Sequence, residues 1–195
     1  MRVVQVKCPQ CNSPITMKQK DTLFYCSQCN TIHIREGGIE KLDYEIADFN
    51  PSMQGDRWYV PFWRVYASFV VRSKRVEGGT TFKLFSWLKG SNDSGNLFIY
   101  IPAPELDTAT FRRLSSMLTA GTPRYATRLN FGNVPRVSAV LTRKEAAELS
   151  DFVIVTMEAE QPGVLQNLDY TLTVNDTKLV YLPFIKTGAG LTLAL

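Results

Sequence analysis

Four cysteines stand in two pairs near the start of the chain, Cys8-Pro9-Gln10-Cys11 and Cys26-Ser27-Gln28-Cys29, and the sequence holds no others. A two-residue gap lets a tight turn aim both sulfurs at one point. Two such turns, joined by a hairpin-length segment, can close a tetrahedral S4 site around Zn2+. Other chemistries share the motif. A disulfide pair does not suit a chain read as cytosolic, where thiols stay reduced and bind metal. An iron-bound electron carrier uses the same two units, but the short interval and the lack of a redox partner motif favour zinc. A catalytic zinc keeps an open position and usually has His or carboxylate among three protein ligands. Four thiolates fill the shell, so the expected ion is structural. His33, four residues past Cys29, could displace a cysteine but reads more simply as a strand-face histidine.

The elements that position the sulfurs are short. Val3 to Lys7 alternates apolar and polar residues and leads as a strand into the first knuckle. Ile15–Lys18 and Leu23–Tyr25 read as two arms of a hairpin with Gln19-Lys20-Asp21 at its tip. After the second knuckle, Thr31–Arg35 alternates again, and Gly37-Gly38 ends the module. Strand, knuckle, hairpin, knuckle, strand resembles a zinc ribbon over about residues 3–36, with Cys-Pro-Gln-Cys close to that family's first knuckle. The resemblance implies metal ligands Cys8, Cys11, Cys26 and Cys29 and a hairpin able to dock protein or nucleic acid. One departure is informative. The residue after each second cysteine, usually Gly in that family, is Asn12 and Asn30 here, and Asn is the non-glycine residue that best tolerates left-handed backbone. A ribbon this small has little core, so metal binding would supply its folding free energy.

The remaining chain reads as a polar linker, 37–57, and an α+β body, 58–195. At 195 residues, 45% hydrophobic and 21% charged, the chain is ordinary for a globular protein. No apolar run approaches the ~20 residues needed to span a bilayer. The start is too short and interrupted for a secretory signal, which together with the thiols gives a cytoplasmic expectation. Net charge is +4, unevenly spread: 57–104 and 105–144 each carry seven basic and two acidic side chains, 145–195 two and seven. Such asymmetry suits a nucleic-acid or acidic partner, or simply halves that pack together.

In the linker, Ile39, Leu42 and Ile46 suggest a helical turn or two, with Tyr44 and Phe49 laid on the body. A tetrad recurs: Tyr59-Val60-Pro61-Phe62, Tyr100-Ile101-Pro102-Ala103 and Tyr181-Leu182-Pro183-Phe184. Proline cannot donate to a ladder, so each tetrad belongs at a strand end, bulge or edge. The spacing suggests duplicated halves, about 58–121 and 122–195, each with one helix.

Trp58–Arg72 reads as a long strand, Gly78-Gly79 as a turn, Thr81–Leu88 as its hairpin partner, Gly90–Gly95 as a loop and Leu97–Ile101 as a strand. Asp107 caps a helix carrying Phe111, Leu114, Met117 and Leu118, stopped by Gly121 and Pro123. Arg124–Phe131 and Val137–Leu141 read as strands. Thr142-Arg143-Lys144-Glu145 is a capping box opening a helix to about Glu160, although 152–156 is strongly β-branched. Tyr170–Val174 and Lys178–Phe184 flank Asn175-Asp176-Thr177, a hairpin signal, and Leu191–Leu195 adds an edge strand. The whole is a mostly antiparallel β body with two helices.

No dinucleotide fingerprint, phosphate-binding loop or nucleophile elbow occurs, and the single histidine sits beside the cysteines. The pairs Glu145/Glu148 and Glu158/Glu160 read as solvated helix charges. The expectation is a non-enzymatic zinc protein serving as an interaction or assembly subunit, with the ribbon hairpin and the apolar tetrads as contact surfaces. The rival is nucleic-acid binding through 57–75, where Arg57, Arg64, Arg72, Lys74 and Arg75 interleave with Trp58, Tyr59, Trp63 and Tyr66. Strand alternation puts Trp58, Val60, Phe62, Arg64 and Tyr66 on one face and Tyr59, Pro61, Trp63, Val65 and Ala67 on the other. Neither face is purely basic or aromatic.

Overall fold

A computed structural model describes residues 2–77, 93–160, 164–188 and 190–195, with backbone alone for 74–77 and 164–167. The expected turn at Gly78-Gly79, the hairpin partner Thr81–Leu88 and residues 90–92 of the expected loop lie outside the described residues, while Ser94 and Gly95, expected in that loop, begin a strand.

The N-terminal module holds five strands in two small sheets. β1 (Val3–Lys7) pairs antiparallel with β2 (Pro14–Lys18); β3 (Leu23–Cys26), β4 (Thr31–Arg35) and β5 (Ile39–Leu42) form a second antiparallel sheet. This corrects the expected hairpin, because β2 and β3 do not pair with each other. Each Cys-x-x-Cys turn is instead the turn of its own hairpin, closed in the first by Cys8 N donating to Ser13 O at 2.9 Å. Gly37-Gly38 does not end the module either. With Gly37 at φ +70° it turns the chain back into β5, so Ile39 and Leu42 lie on a strand, not a helical turn. Ile46 likewise lies on a strand, β6 (Tyr44–Ala47), while Phe49 and Tyr44 pack on the body as expected.

The body is built on one six-stranded sheet in the order β8-β7-β10-β6-β9, with β11 also on β10. Its spine is β7 (Asp56–Glu77) against β10 (Val164–Thr187), antiparallel along their lengths. β8 (Ser94–Pro102) flanks β7; β6, parallel to β10, flanks the other side, followed by the two-residue β9 (Thr127–Arg128). β11 (Gly190–Leu193) is the expected C-terminal edge strand. The expected hairpin at Asn175-Asp176-Thr177 is absent, since β10 runs straight through with a bulge between Val174 and Asp176. The turn-forming side chains serve the bulge instead: Asn175 Nδ2 donates to Ser68 Oγ across the ladder, and Thr177 N donates to Asp176 Oδ1. Arg124–Phe131 forms a strand only at β9. Val137–Leu141 forms none: Val137 N donates to Tyr59 O, and Val140 N and Leu141 N both donate to Ala103 O.

The three tetrads lie side by side on β8, β7 and β10, and all are core. Pro102 ends β8; the carbonyls of Pro61 and Pro183 accept from Ala103 and Ala194, just where β8 and β11 stop. A strand residue's N and O face the same neighbour, so each proline's missing donor falls at a ladder end. Among the described residues the halves 58–121 and 122–195 run β-β-α and β-α-β-β, and the tetrads share a position in the sheet. As contact surfaces they are excluded by burial.

Both helices follow the sequence. α1 (Thr108–Gly121) is capped by Asp107, whose side chain accepts from Thr110 N. α2 (Arg143–Ala159) opens with the full Thr142/Glu145 capping box. α1 covers one face of the sheet, over Val60, Phe62, Val180 and Leu182. The other face carries Tyr59, Trp63, Val65 and Ala67 in a cluster containing α2's Val153, Ile154 and Met157 and the module's Leu23, Ile32, Ile34 and Leu42. The two faces of β7 thus alternate as the sequence implies, and both are buried at this end. Among the described residues, no helix is long and apolar enough to cross a membrane.

Candidate metal centre

The sheet β3-β4-β5 is a wall with two different sides. Along β3, Phe24 and Cys26 point to the cysteine cluster, while Leu23 and Tyr25 point to the body. Along β4, Thr31 and His33 reach the sulfurs and Ile32 and Ile34 enter the body core. The period-two geometry of a strand requires this division.

On the cysteine side the four Sγ atoms lie within 4.8 Å of one another. Cys8 and Cys29 are 3.7 Å apart, Cys11 and Cys26 3.5 Å. A tetrahedral tetrathiolate with metal–sulfur bonds near 2.3 Å needs sulfurs roughly 3.8 Å apart. The donor set fits a thiophilic ion, and these four residues could hold one. Asn12 at φ 60° and Asn30 at φ 53° adopt the left-handed backbone expected of them. The hydroxyl and backbone of Ser13 draw the Cys11 thiol down to about 6. Burial opposes ionisation at Cys8, but the backbone N–H groups of Cys11 and Gln10 outweigh it and bring that thiol to about 7. Burial pushes the Cys26 thiol up to about 11, so its thiolate needs a cation beside it.

His33 is neither solvated nor a bystander. It is 2% exposed, stacked on Phe24, with Nε2 3.4 Å from Cys8 Sγ. Thr31, which sequence reasoning missed, places Oγ1 3.0 Å from Cys29 Sγ. The available signal was its position, two residues beyond a knuckle cysteine and on the same strand face as His33.

On the body side an aromatic cluster bolts the wall in place. Phe131 meets Tyr25, Tyr44, Tyr59 and Tyr181, and Arg136 lies over the rings of Tyr25 and Phe131 at 4.1 and 4.6 Å. The tip expected to dock partners is itself docked. Lys20 pairs with Glu105, Ser138 Oγ reaches Asp21 Oδ2 at 3.5 Å, and Thr22 N donates to Ala139 O at 3.0 Å.

The basic stretch 57–75 does not present free cations among its described side chains. Arg57 donates to Met53 O and lies over Phe49; Arg72 reaches Asp169 and Thr171. Arg64 pairs with Glu45 at 3.0 Å, where Tyr125 and Lys178 also converge. Burial pushes the Glu45 carboxyl up, but Lys178, Tyr125 and Arg64 together hold it below its ordinary 4.5. A depressed carboxylate contributes stability above its unfolded value and loses it as pH falls through the folded one. Glu45→Gln is therefore expected to cost about 1–3 kcal/mol at pH 7 and to flatten the acid limb of the stability–pH curve below about 4.5. Denaturant unfolding of both proteins across pH 3–7 checks this; parallel curves would refute the assignment.

Of the carboxylate pairs read as solvated, Glu145 is the capping residue and Glu148 lies 4.0 Å from Lys144. Glu158 corrects the reading, being 4% exposed, because helical spacing places it with Ile154 on the inner face. Compared with family models, curated proteins and solved structures, the chain matches none.

Proposed function

We propose that this chain is a zinc-ribbon protein without catalysis of its own, an interaction or assembly subunit of a cytoplasmic complex. Zn2+ is held structurally by Cys8, Cys11, Cys26 and Cys29. The observation that carries this reading is a four-sulfur cluster, enough to fill a tetrahedral shell, built into a wall of the body core. With the tetrads buried, the contact surface we assign lies on exposed apolar residues: Leu129, and Phe152 and Val155 on the outer face of α2. The intramolecular engagement of Arg57, Arg64 and Arg72 favours a protein partner over nucleic acid.

Affinity capture from the native source, with nuclease present, tests this. A defined partner is expected to survive nuclease and be lost from a Leu129→Ser, Phe152→Ser variant that keeps wild-type thermal stability. Binding to a labelled polynucleotide that falls steeply with salt, with no nuclease-resistant partner, would overturn it in favour of the rival.

A further inference from the structure

We propose that Thr31 and His33 form a buried relay of hydrogen-bond donors onto the thiolates and thereby set how firmly the site keeps its metal. The inference rests on the reading that the cluster holds a divalent ion. Four thiolates around such an ion carry a net charge of −2, and Cys8 and Cys26 are 0% and 1% exposed. Buried charge of this kind is costly unless donors face it.

The geometry fixes which way the protons point. Thr31 Oγ1 is 3.0 Å from Cys29 Sγ and 3.1 Å from His33 Nε2, and it has one proton to give. His33 Nε2 is also 3.4 Å from Cys8 Sγ, while Nδ1 is buried with no partner. A proton on Nδ1 would be a buried N–H with no acceptor, the rarer and costlier kind of orphan. The neutral ring therefore carries its proton on Nε2, an assignment made from the network. Nε2–H is shared between Cys8 Sγ and Thr31 Oγ1, and the threonine proton is left for Cys29 Sγ. One thiolate in each knuckle receives a donor, and the stacked Phe24 ring fixes the imidazole plane.

The test uses the full chain, loaded with Co2+ and titrated with a chromophoric chelator. Thr31→Val keeps shape and removes the hydroxyl; His33→Phe keeps the stack and removes the N–H. Each is expected to weaken Co2+ retention about 10–100-fold while the tetrathiolate absorption bands persist. His33→Gln, which restores an N–H, should recover part of the loss. Variants that hold Co2+ as tightly as wild type would overturn the relay and leave the metal reading intact. A wild-type spectrum showing nitrogen ligation would overturn it too, by making His33 a ligand. A wild-type chain that takes up no Co2+ would sink the metal reading itself. Thr31→Val decides the matter should His33→Phe not fold.

Discussion

If the four cysteines hold the proposed ion, removing it should unfold the body along with the module. Leu23, Ile32, Ile34 and Leu42 belong to the same buried cluster as Tyr59, Trp63 and Ile99, on the reverse of the wall that the cysteines face. Burying one such aliphatic side chain contributes about 1.5–3 kcal/mol, so undocking all four forfeits about 6–12 kcal/mol. Whole-domain stability is itself only about 5–15 kcal/mol. A chelator, or Cys8→Ser with Cys26→Ser, is therefore expected to abolish the cooperative unfolding transition. Near-ultraviolet circular dichroism reports on Trp63, which is fully buried with Nε1 donating to Leu141 O at 3.0 Å. A metal-free protein that kept that signal and its melting temperature would show the module to be an appendage.

Phe131→Ala is the second severe change. The ring is 1% exposed and meets four tyrosines, Tyr25 from the module and Tyr44, Tyr59 and Tyr181 from the body sheet. Truncating a buried phenylalanine costs about 3–5 kcal/mol, or about 10 °C of melting temperature at this chain length. Arg136 loses one of its two rings as well. Leu129→Ala is the matched control, two residues away but 94% exposed, with an expected effect within about 0.5 kcal/mol. Thermal melts of the pair check both; equal shifts would mean that Phe131 is not the bolt.

What was legible in the residues was whatever is decided locally. The convergence of the two cysteine pairs, the left-handed Asn12 and Asn30, the Asp107 cap and the Thr142/Glu145 box depend on short stretches of sequence, and the structure shows each of them. Pairing partners were not decided locally. Ile15–Lys18 and Leu23–Tyr25 are adjacent in sequence, yet the knuckle turns already supplied each with a partner. Asn175-Asp176-Thr177 has every property of a turn, but the continuous β7 opposite it made a through-running strand, bulged at this point, the better-bonded choice. Thr31 and Phe131 carry no motif at all. Their roles arise from what distant segments bring to them.

The spine of the sheet also dictates an order of events during synthesis. Asp56 finds its partner in Lys186 and Glu77 in Val164, so β7 leaves the ribosome long before β10 exists. At about 5–20 residues per second the interval is several seconds. Throughout it β8 alone can flank β7 among the described strands, and Tyr59 and Trp63 on one side, and Val60 and Phe62 on the other, lack the β10 neighbour that completes their burial. Truncation before residue 164 would therefore leave β7 paired with β8 on one edge and an apolar, unpaired edge on the other.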